Sequence, residues 1–308
     1  MRNAIGVDLG GTFVKLALVS EQGDFLFEEK RSIGESASKE KILETIKEGI
    51  QFVLNKANED KLSVVGIGIG TPGVVDNGIV VGGANNLNGW KNLNLASIYS
   101  TAFHLPVYVE NDANVMGLGE SIYGSAKDCS DVLFFTVGTG IGGAMIINGK
   151  LYGGYKNRGA EMGHFSINHE GIKCNCGGVG CLEAYASTAA LIRQYVERSG
   201  NKTDSVDGYY IVKKFKEGED AAIECMNNHV GYLGHGIASF INIFAPQKVV
   251  IGGGISEAGQ FYIDMIKESV LKYVLPACSI HTEIVGASLG NKAGCFGAAS
   301  LIFKNINI

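Results

Sequence analysis

Apolar residues recur along the chain in two periods, and the switches between them mark its elements. Ala4–Val7 and Val14–Val19 are short β-rich runs around a Gly-Gly turn, and Asp24–Lys30 is a third strand able to pair with them. Over 39–57 the spacing changes. Ile42, Leu43, Ile46, Ile50, Val53, Leu54 and Ala57 fall on one helical face. Leu62–Ile69 reads as a buried strand ending at Gly70-Thr71-Pro72-Gly73. Val107–Glu110 is another, with Asn111 or Asp112 placed to cap a helix running to about Tyr123.

The same order then begins again. Asp131–Val137 enters Gly138-Thr139-Gly140 and is followed by a strand at Gly142–Ile147. Beyond a glycine- and cysteine-rich segment at 153–181, helical periods cover 182–198, 207–216 and 219–243. Lys248–Ile251 is a strand entering Gly252-Gly253-Gly254, and a helix over about 291–304 ends the chain. Two blocks that each open with strand, glycine turn and strand imply α/β layers in two halves, hinged near 113–128. No linker rich in Pro or Ser separates them, so the halves are expected to share a cleft.

Composition narrows the classes. The 308 residues suit two domains, and 46% hydrophobic with 19% charged residues suits a soluble globule rather than a disordered chain. Lys and Arg number 26 against 31 Asp and Glu, a net charge of −5 with no dense basic run, so nucleic acid is not an expected partner. No run approaches the ~20 apolar residues of a membrane span. The amino terminus meets Asp8 too early for a signal peptide, so no membrane partner and a cytoplasmic location are expected. Forty-four glycines against four prolines imply many turns or close backbone approaches. Cys174, Cys176 and Cys181 crowd together, whereas Cys129, Cys225, Cys278 and Cys295 read as buried apolar side chains.

Five motifs carry candidate chemistry. In Asp8-Leu9-Gly10-Gly11-Thr12-Phe13-Val14-Lys15, two glycines let backbone amides face an anion, Thr12 adds a donor and Lys15 a mobile positive charge. Asp8, at a strand end, can hold a hydrated magnesium ion. The turn matches neither a Walker A loop nor a dinucleotide fingerprint. Gly138-Thr139-Gly140-Ile141-Gly142-Gly143 echoes it, and two such loops can grip a polyphosphate from both sides of a cleft. Gly252-Gly253-Gly254 is either a strand-to-helix turn or a close approach to a base or ribose. In Glu110-Asn111-Asp112-Ala113-Asn114, Asp112 is either a helix cap or the acceptor of an alcohol's proton during phosphoryl transfer. Cys174, Cys176 and Cys181 with one histidine make a closed tetrahedral zinc site of structural type; spacing leaves His164 and His169 both open as fourth ligand.

Taken in order, D-x-G-G-T-x-x-K, Pro72-Gly73, Asn86-Leu87-Asn88-Gly89-Trp90, Glu110 to Asn114, Gly138 to Gly143, Glu161-Met162-Gly163-His164 and Cys174 to Glu183 resemble the ROK family of sugar kinases and repressors over nearly the whole chain. The resemblance implies an actin-like, ribonuclease-H-related α/β fold with the active site between two domains. These are expected at 1–118, with a C-terminal helix over about 291–308 packing back on it, and at 119–290, carrying the zinc loop. It implies an ATP-dependent hexokinase acting on the sugar 6-hydroxyl, glucose first and N-acetylmannosamine second, with Asp112 as general base. The sugar would meet Asn86, Asn111, Asp112, Glu161, His164 and Glu183. ATP would meet Gly10, Gly11, Thr12, Lys15, Thr139 and Gly140, with Gly253 and Gly254 by the nucleoside. Magnesium would sit near Asp8, and structural zinc on His164, Cys174, Cys176 and Cys181, the resemblance favouring His164 over His169. A homodimer is expected, as is common in the family. Family repressors carry a winged helix-turn-helix ahead of the first motif; only seven residues precede Asp8, so the regulator is the less expected reading. Two departures, Ala160 where the family usually has Gly before the Glu, and Ala144 after Gly142-Gly143, bear on which sugar is used.

Overall fold

The computed structural model describes residues 1–34, 37–84, 87–201 and 205–306. β1 (Asn3–Leu9), β2 (Phe13–Ser20) and β3 (Phe25–Ser32) form an antiparallel meander backed by α1 (Lys39–Glu59). Ser38 caps α1, its Oγ accepting from the Lys41 N–H at 3.3 Å. Ile42, Ile46, Ile50, Val53 and Ala57 are buried on the expected face, with Leu43 and Leu54 on its half-buried flank. β4 (Val64–Thr71) joins β1 in parallel. A small sheet of β5 (Val74–Asp76), β6 (Ile79–Gly82) and β7 (Leu93–Asn94) leads to α2 (Leu95–Phe103). β8 (Val107–Asn111) then pairs with β4 and runs straight into α3 (Asp112–Tyr123).

The second sheet repeats the first. β9 (Val132–Val137), β10 (Ile141–Ile147) and β11 (Lys150–Leu151) are antiparallel. Four helices follow the cysteine loop: α4 (Leu182–Ala186), α5 (Thr188–Ser199), α6 (Gly208–Lys216) and α7 (Asp220–Phe244). β12 (Lys248–Gly252) joins β9 in parallel; α8 (Gln260–Val270) and α9 (Pro276–Ser279) precede the edge strand β13 (Glu283–Gly286), and α10 (Ala293–Asn305) closes the chain. The orders β3-β2-β1-β4-β8 and β11-β10-β9-β12-β13 are the same topology twice, the actin-like repeat that the resemblance implies. In both, the glycine turn joins the first two strands. Among the described residues no helix is long and apolar enough to cross a membrane.

α10 leaves the second sheet and lies across β1, β4 and α3. Its backbone comes so close that side chains are excluded beneath it. A Cβ on Gly6 would overlap the Cys295 carbonyl, and one on Gly68 the Ala298 carbonyl. Because the obstacle is helix backbone rather than a movable side chain, Gly68→Ala should destabilise the protein by about 3 kcal/mol, the upper end of overpacking costs. A thermal or urea melt reads this directly; a loss under 1 kcal/mol would mean α10 can slide.

Several expectations need correction. The helix over 182–198 is two helices. Ser187 breaks it because its Oγ caps α5, accepting from the Ala190 N–H at 3.1 Å, while the Thr188 N–H donates to the Gly138 carbonyl at 2.8 Å. The chain thus turns where it meets the second glycine loop. The β5–β7 sheet, α2, α8, α9 and β13 are additional elements. Position 118/119 falls inside α3 rather than at a break in structure. Asn307 and Ile308, placed in the closing helix, lie outside the described residues.

Candidate active site

The two glycine turns and the start of α3 bring most of the expected residues to one region. At the end of β1, Asp8 is 6% exposed and pairs in register with Lys15. Its carboxylate has no hydrogen-bond or ion-pair partner among the described residues and rests against the Cα of Gly294 in α10. Burial pushes its carboxyl up to about 6, opposed by the charge of Lys15 and reinforced by that of Asp112. Gly11 and Thr12 are exposed at the hairpin tip, which the Gly10 N–H closes onto the Phe13 carbonyl at 2.9 Å. Lys15 Nζ donates to the carbonyl and Oδ1 of Asn291 at 3.4 and 3.2 Å.

Asn111 caps α3, Oδ1 accepting from the N–H groups of Ala113 and Asn114 at 2.9 and 3.2 Å, and its Nδ2 donates to the Gly73 carbonyl at 3.1 Å. Asp112 follows as the first helical residue, its Oδ1 accepting from Ala113 N–H at 2.9 Å. Burial raises the Asp112 carboxyl above the ordinary carboxylate range. Donors from the Ala113 and Asp112 backbone and from Asn111 pull against this, and the charge of Glu161 adds to it. Asp112 thus adds to the upward shift of Asp8, and Glu161 to that of Asp112. Asn86, expected beside the sugar, lies outside the described residues.

Thr139 is exposed at the second glycine turn, which the Gly138 N–H closes onto the Gly140 carbonyl at 2.9 Å. Glu183, in the first turn of α4, sits over Gly140. Its Oε2 accepts from the Ile141 N–H at 2.9 Å, and Cys174 Sγ approaches its Oε1 at 3.7 Å. Gly253 has φ +91° and packs on the Val137 backbone, which brings the third glycine turn beside the second. Together Gly138, Thr139 and Gly254 line a cavity of about 750 Å³ whose apolar wall includes Ile192, Val212 and Ile255. Thr188 also lines it, and its buried hydroxyl has no partner among the described residues. A cavity of this size and character takes a nucleoside-sized ligand. Its α5 and α6 wall carries no sequence signal of its own, because those helices read as ordinary amphipathic packing.

The structure gathers His164, Cys174, Cys176 and Cys181, whose ligand atoms lie within 4.8 Å of one another. His169 is instead exposed beside Glu170. Cys176 and Cys181 sulfurs are 3.7 Å apart, and His164 Nδ1 is 3.8 Å from Cys174 Sγ. A tetrahedron with metal–sulfur bonds of about 2.3 Å has edges of about 3.8 Å, whereas a disulfide needs ~2.05 Å. The donor set therefore fits a four-coordinate soft or borderline cation. Cys129, Cys225, Cys278 and Cys295 are free and fully or partly buried.

Three residues outside the expected set complete the region: Glu110, Asn157 and Asn291. Glu110 accepts from the Asn111 N–H, Asn114 Nδ2 and Asn157 Nδ2, and Asn291 holds Lys15. Glu110 belongs to the fourth motif and was legible as polar; Asn157 and Asn291 carry no local signal.

Comparison with known proteins identifies the family. The description of the ROK family matches residues 4–305. A glucokinase of Thermotoga maritima is 35% identical over 315 residues, covering 98% of each chain. A xylose repressor of Caldicellulosiruptor bescii is 32% identical, covering 98% of this chain and 78% of the repressor. The crystal structure of a ROK family glucokinase from Streptomyces griseus, in complex with glucose and AMPPNP, superposes with a TM-score of 0.85 at 31% identity, covering 98% of this chain and 100% of that one. With the motifs, the repeated sheet and the full-length relatives in agreement, the chain belongs to the ROK family.

Proposed function

We propose that this protein is an ATP-dependent hexose kinase that transfers the γ-phosphoryl group to the 6-hydroxyl of glucose. The observation that carries the reading is Asp112: a carboxylate raised by burial, fixed at the start of α3 beside the Asn111 cap, and coupled electrostatically to Asp8 and Glu161. Its glucokinase relatives at 31–35% identity support glucose as the acceptor.

In this reading ATP lies with its nucleoside in the cavity by Gly253 and Gly254 and its phosphates between Gly10-Gly11-Thr12 and Thr139-Gly140. Lys15 faces the transferring group. Asp8, buried with no hydrogen-bond or ion-pair partner among the described residues, suits a hydrated magnesium ion, which would neutralise phosphate charge. Glucose meets Asn86, Asn111, Glu161, His164 and Glu183. As the sugar O6–P bond forms and the bond from phosphorus to the ADP oxygen breaks, Asp112 takes the hydroxyl proton. Closure of the half built on the first sheet onto the half built on the second excludes water as a competing nucleophile.

Zinc on His164 and the three cysteines is part of the same reading. With Nδ1 turned to Cys174, His164 has no hydrogen bond on its other ring nitrogen among the described residues, which leaves that nitrogen for the sugar, and zinc there would brace the substrate wall. Cys181→Ser should lose the metal and raise the KM for glucose roughly 10–100-fold, the usual cost of disturbing an outer shell. Metal analysis beside steady-state kinetics checks this; a metal-free variant with unchanged KM would refute the brace. A homodimer also belongs to this reading, supported by exposed apolar Tyr232, Ile243 and Phe244 on α7, and sedimentation measures it.

The deciding test is sugar-dependent ADP release over glucose, N-acetylmannosamine, allose, fructose and N-acetylglucosamine. Glucose should give the highest kcat/KM. Preference for N-acetylmannosamine would move the substrate and keep the chemistry. No turnover with any sugar, together with salt-sensitive binding to duplex DNA, would favour the repressor relatives.

A further inference from the structure

We propose that Asn157 is a positioning residue: it clasps Glu110 across the cleft and so holds the start of α3, and Asp112 with it, in its working orientation. The segment between β11 and Glu161 leaves the second sheet, reaches the small β5–β7 sheet, and returns. It is tied at its neck by the Gly159 N–H donating to the Gly153 carbonyl at 2.7 Å. At its tip the Asn157 amide donates to the Val75 carbonyl at 3.0 Å and to both oxygens of Glu110, at 2.8 and 3.0 Å. These are the contacts of a side chain 47 positions away in sequence, not of a local turn.

The backbone is bent to make them. Lys156, Asn157 and Ala160 all have positive φ, at 52°, 55° and 65°. Asparagine tolerates that region better than most residues, but lysine and alanine do not. Such a conformation persists where surrounding contacts over-determine it. The Asn157 bonds are the candidates, since Tyr155 beside it is 85% exposed and packs on little.

The far end of the clasp explains what it does. Glu110 Oε1 also accepts from the Asn111 N–H at 2.7 Å and from Asn114 Nδ2 at 3.0 Å. Glu110 thus grips the cap and the first turn of α3, the turn that carries Asp112. Asn157 supplies the donor that this carboxylate receives from the other side of the cleft. Through Ala160, the same segment continues directly into Glu161. One short strap therefore links the residue proposed to face the sugar with the residue proposed to take its proton.

Asn157→Gly is the clean test, because glycine accepts the left-handed backbone and removes only the amide. Amide exchange over 108–118 should quicken at least ~10-fold, and kcat should fall ~10-fold with little change in the KM for ATP. Asn157→Asp, which sets a second carboxylate against Glu110, should be worse than Asn157→Gly. Adding Glu110→Gln to it should recover part of the loss, since an amide can then donate to the new carboxylate. The kinetic half rests on the phosphoryl-transfer reading; the exchange half does not. Faster exchange in Asn157→Gly, with a wild-type protein that turns over no sugar, would keep the clasp and reject that reading. Unchanged exchange over 108–118, or Asn157→Asp no worse than Asn157→Gly, would overturn the clasp.

Discussion

Asp112→Asn should lower kcat by about 10²–10⁴-fold, the usual worth of a positioned general base. Asparagine keeps the shape, and its oxygen can still accept from the Ala113 N–H, so the fold and the first turn of α3 should survive. What it lacks is a site for the sugar proton. The KM for sugar should change little, because hydrogen bonding to the hydroxyl remains. The pH profile gives a second signature. Burial raises the Asp112 carboxyl above its ordinary range, and the charge of Glu161 adds to this. A base works when deprotonated, so wild-type turnover should fall as pH drops through that raised pKa. The acid limb should vanish in the variant. Turnover within tenfold of wild type, with the limb intact, would remove Asp112 from the chemistry.

The region around that residue was legible because its parts are local. Strand, Gly-Gly turn and strand over 3–20 follow from apolar periodicity and one residue type, and the same signal recurs at 132–147. The cap at Asn111 needs only its own neighbours. The illegible parts depend on distant partners. β13 has four residues, and pairing with β12 alone makes it a strand. The break at Ser187 occurs because Thr188 reaches Gly138, fifty positions earlier. α8 is a different case: Tyr262, Ile263, Ile266 and Val270 are buried at helical spacing, so its period was present in the sequence. Ala160 shows how a departure from a family pattern gains meaning from structure. Its φ of 65° is the reason glycine is usual there, and alanine bears roughly 1–2 kcal/mol of strain in that region.

Asp8→Asn should separate stability from function in opposite directions. Asp8 is almost wholly buried, and its carboxylate has no protein hydrogen bond or ion pair among the described residues. Burial pushes its carboxyl from 3.8 up to about 6. A raised carboxyl pKa favours the protonated folded state. The stability it brings is full below about 4 and is lost as pH rises through about 6. At neutral pH the wild-type protein therefore holds a charge that burial disfavours, and asparagine removes it. Free of ligands, Asp8→Asn should be roughly 2 kcal/mol more stable than wild type above pH 6, with the gap closing toward pH 4. Catalysis should fall by about 10²-fold or more, because the anion that suits the magnesium and phosphate charge is gone. Magnesium and nucleotide should then reverse the order of melting temperatures, since only wild type gains their full binding energy. Melts at pH 4, 6 and 7.5, with and without magnesium and nucleotide, read all three effects. If Asp8→Asn melts below wild type at pH 7.5 without ligand, the carboxylate is serving the fold rather than waiting for a cation, and the magnesium assignment fails.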